Sequence, residues 1–249
     1  MQYLRLSRYP KFHTPVARRL FVIGLLLLLM LPTVEAQRKK VGVVLSGGGA
    51  KGVAHIGVLK VLEKAGIPVD VIVGTSMGSI VGGLYAIGYS ADQLDSLVRV
   101  QDWMFLLSDK VNRYDLPFGE KEQDGKYLLS VPFDRGKKRP SGFISGQNVY
   151  NLFSDLTIGY HDSLDFLQLP IPFACVAADM FHREEIVMKG GNLVQAMRAS
   201  MAIPGVFTPV RTGDRVLVDG GILNNFPTDV ARALGAEIVI GVGRFRQTA

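Results

Sequence analysis

Two short β-branched runs, each broken by a glycine-rich turn and followed by a helical pattern, constrain this chain more than any other feature. Residues 41–45 stop at Ser46-Gly47-Gly48-Gly49, and a helix is expected over 50–64 with Ala54, Val58, Val61 and Leu62 along one side. Gly66 then supplies the left-handed residue with which helices commonly end. Residues 69–73 repeat the arrangement, turning at Gly74-Thr75-Ser76-Met77-Gly78 into a helix that ends near Gly88. Ser90 is placed to cap a helix over 91–100. Helices are also expected over 148–156, 192–199 and 228–234, and strands over 172–177, 185–188, 216–218 and 237–242. Strands that alternate with helices predict an α/β chain with a mostly parallel sheet covered on both faces, because parallel strands need helical crossovers.

The first 36 residues are of another kind. Arg5, Arg8, Lys11, Arg18 and Arg19 precede an apolar run over 21–31, and Val34-Glu35-Ala36 follows Pro32. That order of basic, apolar and small residues is expected of a secretory signal, cut after Ala36. The 11 apolar residues fall short of the ~20 that span a bilayer. Five of the 28 basic and one of the 22 acidic residues lie in this segment, so the remainder carries 23 basic against 21 acidic. The net charge of +6 therefore belongs largely to the leader and gives no reason to expect a nucleic-acid partner. One basic cluster remains at 135–139; it reads as a solvated loop or as a contact for anionic head groups. The single cysteine, Cys175, lies in an apolar run and is expected to be buried and inert. Residues 101–146 show little periodicity and suit a long loop or lid.

The chemistry concentrates in the two turns. In Gly74-Thr75-Ser76-Met77-Gly78 a nucleophile at Ser76 would sit on a tight turn above a sheet edge, with Gly74 and Gly78 leaving room for the turn and for a substrate. The helix behind it would aim its N-terminal dipole at the reacting centre. In Gly47-Gly48-Gly49-Ala50-Lys51-Gly52, successive bare amides of Gly47, Gly48 and Gly49 make an anion-binding nest suited to an oxyanion. Lys51 would steady that nest or meet a lipid phosphate, and an exposed helix lysine explains it equally well. Gly47, Gly49 and Gly52 also satisfy a dinucleotide pattern with Asp70 downstream, but a ribose-binding acid belongs at the far end of the second strand and Asp70 lies at its start. No Gly-Lys-Ser/Thr closes a phosphate loop, so no cofactor is expected.

A base for Ser76 is harder to find. Only His161 and His182 follow it, and His182 lies beside Phe181 and Arg183 in an expected hairpin turn; His55 belongs to the first helix. Asp219 ends the strand 216–218 and is followed by Gly220-Gly221, which leave its carboxylate uncrowded. At the end of a parallel strand it would share a sheet edge with Ser76. Aspartates ahead of glycines are equally common in plain turns, and spacing does not choose between the two.

Taken jointly, the oxyanion-loop pattern at 47–52, the elbow at 74–78 and the Asp-Gly-Gly at 219–221 resemble the patatin-like phospholipases, with support from Ala199-Ser200-Met201-Ala202-Ile203-Pro204 and Asn225-Phe226-Pro227. The resemblance implies an exported bacterial serine lipid acyl hydrolase with a Ser76–Asp219 dyad and no histidine, folded as a three-layer α/β/α sandwich over residues 37–249. It implies a lipid substrate met at a membrane surface, with the chain in the periplasm or at the outer membrane of a Gram-negative cell. It further implies that Ser200 is structural; exported members can carry further C-terminal domains, so a chain that stops just after its last strand is expected to be a piece of a longer protein. Acyl transfer to an alcohol, or lipid binding without catalysis, would use the same residues.

Overall fold

The computed structural model describes residues 19, 21–23, 38–110 and 142–243. The chain forms two units, 1–38 and 39–249. In the first, residues 19 and 21–23 are helical. The expected leader lies almost wholly outside the described residues, as do the basic cluster 135–139 and residues 111–141 of the expected lid. Among the described residues no helix is long and apolar enough to cross a membrane.

The second unit holds the sheet. Strands β1 (Val41–Leu45), β2 (Val71–Thr75) and β5 (Phe173–Asp179) are buried at every position, as suits central strands covered on both faces. With β6 (Glu184–Met188), β9 (Val210–Thr212), β10 (Arg215–Asp219) and β11 (Ile238–Val242) they form one sheet, in the order β11-β1-β2-β5-β10-β9 with β6 also on β5. Small pairs lie outside it: β3 (Gly142–Ile144) with β8 (Gly205–Phe207), and β4 (Leu164–Asp165) with β7 (Gly190–Gly191).

Alternation along the strands sorts the core into two faces. Val43, Leu45, Ile72, Phe173 and Cys175 join helices α1 (Ala54–Lys64), α2 (Met77–Ala86), α3 (Ala91–Val100), α4 (Trp103–Leu106), α5 (Gln147–Leu156) and α6 (Leu193–Ser200). Val44, Val71, Val73, Ala174 and Val176 pack on the other side against α7 (Thr228–Ala233). This is the three-layer α/β/α arrangement that the sequence predicts. Ser90 caps α3 with a full capping box to Gln93, and Gly66, at φ +64°, closes α1. Burial pushes the Cys175 thiol pKa well above its ordinary value, which keeps it inert.

The sheet is mixed rather than uniformly parallel, and the difference bears on the site. Strands β11, β1, β2 and β5 run parallel, but β10 and β6 run antiparallel to β5. β6 occupies one edge of β5 along Cys175–Asp179, so β2 (to Val176) and β10 (from Ala177) share the other edge end to end. Asp219 therefore does reach the level of Ser76, but its strand arrives from the opposite direction. The expectation of a parallel strand is corrected.

Candidate active site

The carboxyl ends of β2 and β10 face each other across the junction between Val176 and Ala177, and each end delivers one polar side chain. Ser76 links β2 to α2 with φ 54° and ψ −122°, one of two non-glycine residues with positive φ among the described residues. Such a conformation is sterically costly for an L-residue and persists only where the surroundings enforce it. They do so here. The Ser76 carbonyl accepts the Ser79 hydroxyl (2.6 Å) and N–H (2.9 Å), and its N–H donates to Ser200 Oγ (2.9 Å).

The glycines around Ser76 are dictated by close approach. A Cβ at Gly74 would meet the Gly78 backbone, and one at Gly78 would land on the Leu45 carbonyl oxygen and lie 2.8 Å from that of Ser46. Gly78→Ala is accordingly expected to lower stability by about 3 kcal/mol, because a backbone carbonyl must shift. A urea midpoint measured against wild type checks it, and an unchanged midpoint would refute this account of the elbow.

Ser76 and Asp219 are each 6% exposed, and Ser76 Oγ donates to Asp219 Oδ2 at 2.6 Å. The other carboxylate oxygen, Oδ1, accepts the N–H of Gly221 at 2.8 Å, and the Asp219 N–H donates to the Ala202 carbonyl at 2.9 Å. Burial raises the Asp219 pKa above the ordinary aspartate value; the bonds from Ser76 and Gly221 pull it back only in part. A partly desolvated carboxylate of this kind is a stronger base than an exposed one.

The glycine loop runs beside this pair. Gly47 lies so close to Ser76 that a Cβ there would stand 3.2 Å from the serine's own. Its N–H, however, donates to the Asn225 carbonyl (3.3 Å), while its carbonyl accepts from Asn225 Nδ2 (3.5 Å). The expectation of three free amides is therefore narrowed. Gly48 and Gly49 are exposed, Gly49 has φ +54°, and no described residue accepts from either N–H. Gly52 packs on Met77, where a Cβ would come within 2.5 Å of Cγ. Lys51 is exposed.

Several supporting residues carry no local sequence signal. His55 is buried, with Nε2 2.8 Å from the Ser46 carbonyl and Nδ1 without a described partner. Burial lowers its pKa, so the ring is neutral and its Nε2–H pins the start of the loop. Thr75 Oγ1 donates to the Asn224 carbonyl at 3.0 Å, tying β2 to the segment after Asp219. His182 partners Asp179 (2.7 Å), not Ser76, and His161 meets Asn192 through its backbone carbonyl. Asp70 accepts the Val41 N–H at 2.7 Å, at the opposite end of β2 from Ser76.

An apolar cleft of about 50 Å³ follows one face of α2 through Met77, Ile80, Val81 and Leu84 and is also lined by Leu97 and Trp103. On the loops next to Asp219, Ile203, Ile222 and Leu223 stand exposed.

A sequence profile of the family described as "Patatin-like phospholipase" matches residues 43–232, which takes in the loop, the elbow and the Asp-Gly-Gly. The chain belongs to that family. Among its relatives, the mouse "Patatin-like phospholipase domain-containing protein 6" is 34% identical over 204 residues, covering 81% of this chain and 13% of the mouse protein. A Mycobacterium tuberculosis protein described as an uncharacterized NTE family protein is 32% identical over 192 residues, covering 77% of this chain and 28% of its own. The chain thus spans a minor part of the length of these patatin-like relatives. Among solved structures, VipD from Legionella pneumophila shares the fold with a TM-score of 0.52 at 18% identity, over 83% of this chain and 50% of that one.

Proposed function

We propose that this chain is a serine lipid acyl hydrolase in which Ser76 is the nucleophile and Asp219 its base. The observation that carries the reading is the 2.6 Å bond from the Ser76 hydroxyl to a buried carboxylate. Ser76 Oγ attacks the ester carbonyl carbon as its proton passes to Asp219 Oδ2. The amides of Gly48 and Gly49 receive the oxyanion, and the N-terminus of α2 adds its dipole. Collapse of the tetrahedral intermediate expels the alcohol, which takes the proton from Asp219. Water, deprotonated by the same carboxylate, then releases the fatty acid and restores Ser76.

Family membership supports a lipid as substrate, and so does the apolar cleft that Met77, the residue after the nucleophile, helps to line. Ile203, Ile222 and Leu223 would meet a lipid surface at the mouth of the site. Export through residues 1–36 belongs to the same proposal; the N-terminus of protein recovered from the cell envelope tests it.

The reading is tested by mass spectrometry of products from phospholipid vesicles incubated with wild type or Ser76→Ala. Free fatty acid and a lyso-lipid from wild type alone are expected. An acylated alcohol in place of free acid would identify a transferase, and equal products from both proteins would remove Ser76 from the mechanism.

A further inference from the structure

Ser200 stands where a rung of the sheet is missing. In a parallel ladder, every second residue of one strand donates to the residue just before its partner on the next. Along β2 and β5, Ile72 pairs with Phe173 and donates to the Pro172 carbonyl at 2.8 Å. Gly74 pairs with Cys175, and the next step would send the Ser76 N–H to the Val176 carbonyl. That bond is not made, because the positive φ of Ser76 turns its backbone out of the strand. The Ser200 hydroxyl occupies the gap instead, accepting from the Ser76 N–H at 2.9 Å and donating to the Val176 carbonyl at 2.6 Å. Ser200 and Val176 are fully buried, and Gly220 lies so near that a Cβ added there would land on the same Val176 carbonyl oxygen.

The same turn reaches the other half of the pair. Two residues on, the Ala202 carbonyl accepts the Asp219 N–H at 2.9 Å. The end of α6 therefore holds the backbone nitrogens of both Ser76 and Asp219, one through a side chain and one through the main chain. We propose that Ser200 is a positioning residue for the reaction: its hydroxyl replaces the lost rung, keeps Ser76 in its strained turn, and so sets the reach of the nucleophile to Asp219 and to the glycine amides. This inference rests on the acyl-hydrolase reading above.

The test compares Ser200→Ala with Ser200→Gly on a water-soluble short-chain ester, measuring kcat, KM and thermal midpoint, with Ser76→Ala as control. Alanine leaves a methyl group where a hydroxyl bridged two buried polar groups. Its kcat is expected to fall about 10- to 100-fold with little change in KM, as expected for loss of a buried hydrogen bond that matters in the transition state. Glycine opens room for a water molecule to bridge the same two groups, and its kcat is expected to exceed that of alanine. A residue that merely fills space predicts the reverse order, since glycine packs less and loosens a helix end. Wild-type kcat in folded Ser200→Ala, or a lower kcat for glycine than for alanine, would overturn the proposal. If the alanine protein does not fold, glycine alone decides. A folded Ser200→Gly with at least about a tenth of wild-type kcat supports the bridge, and a folded one below that overturns it. Turnover by Ser76→Ala equal to wild type would instead remove the reading on which the inference rests.

Discussion

Asp219→Asn is expected to cut turnover about 10³- to 10⁴-fold while raising the thermal midpoint of the protein. The loss follows from chemistry, because an amide keeps the shape of the side chain but accepts no proton from Ser76, and removing the group that orients and deprotonates a serine costs that order elsewhere. The gain follows from electrostatics. Burial holds the Asp219 pKa above its unfolded value, so the stability linked to it is fully present below the ordinary aspartate pKa and is lost as pH rises through the folded one. At neutral pH the carboxylate therefore stands as a net destabilisation, and the neutral asparagine removes it while its oxygen still accepts from Gly221. If Asp219 is the base, the same shift is expected to place the acidic limb of the wild-type rate profile above the range of an ordinary aspartate, since only an ionised carboxylate can take the proton. An aspartate that served only to shape the turn would show none of this: turnover would survive the substitution and the rate would ignore the titration.

Ser76→Ala is expected to remove covalent catalysis outright, leaving what oxyanion stabilisation and binding alone provide, about 10⁴-fold or more below wild type. The alanine protein should fold, because the contacts that enforce the turn are mostly made by the Ser76 backbone: its N–H to Ser200 and its carbonyl to Ser79. Circular dichroism and a urea titration would establish the fold, and initial rates on a short-chain ester the loss. Retention of more than about a tenth of wild-type kcat, more than such a loss leaves, would mean that another group attacks the ester.

Much of this site was legible because its constraints are local. Gly74 and Gly78 flank Ser76 within one turn, and the close approach of Gly78 to the Leu45 carbonyl admits no side chain. Short β-branched strands before each turn made the α/β layering readable in the same way. Asp219 lies at the rim that the sequence predicts, but on an antiparallel strand rather than a parallel one. A five-residue strand carries no mark of its direction, and only its register on β5 shows that it runs against β2. A row of glycines looks uniform in sequence and offers the Gly47 amide to the oxyanion with the others, yet Asn225, 178 residues away, claims it. Ser200 and His55 act on carbonyls and amides that come near them only in the folded sheet. The paired strands of two or three residues, such as β4 with β7, are too short for any periodicity to register.

Which oxygen attacks the ester decides whether Ser76 is the nucleophile. A fluorophosphonate probe incubated with the protein, followed by peptide mass spectrometry, locates the attacking oxygen. The adduct is expected on Ser76 in the wild type, to form far more slowly in Asp219→Asn, and to be absent from Ser76→Ala. An adduct on any other serine, or undiminished labelling of Ser76→Ala, would contradict Ser76 as the nucleophile.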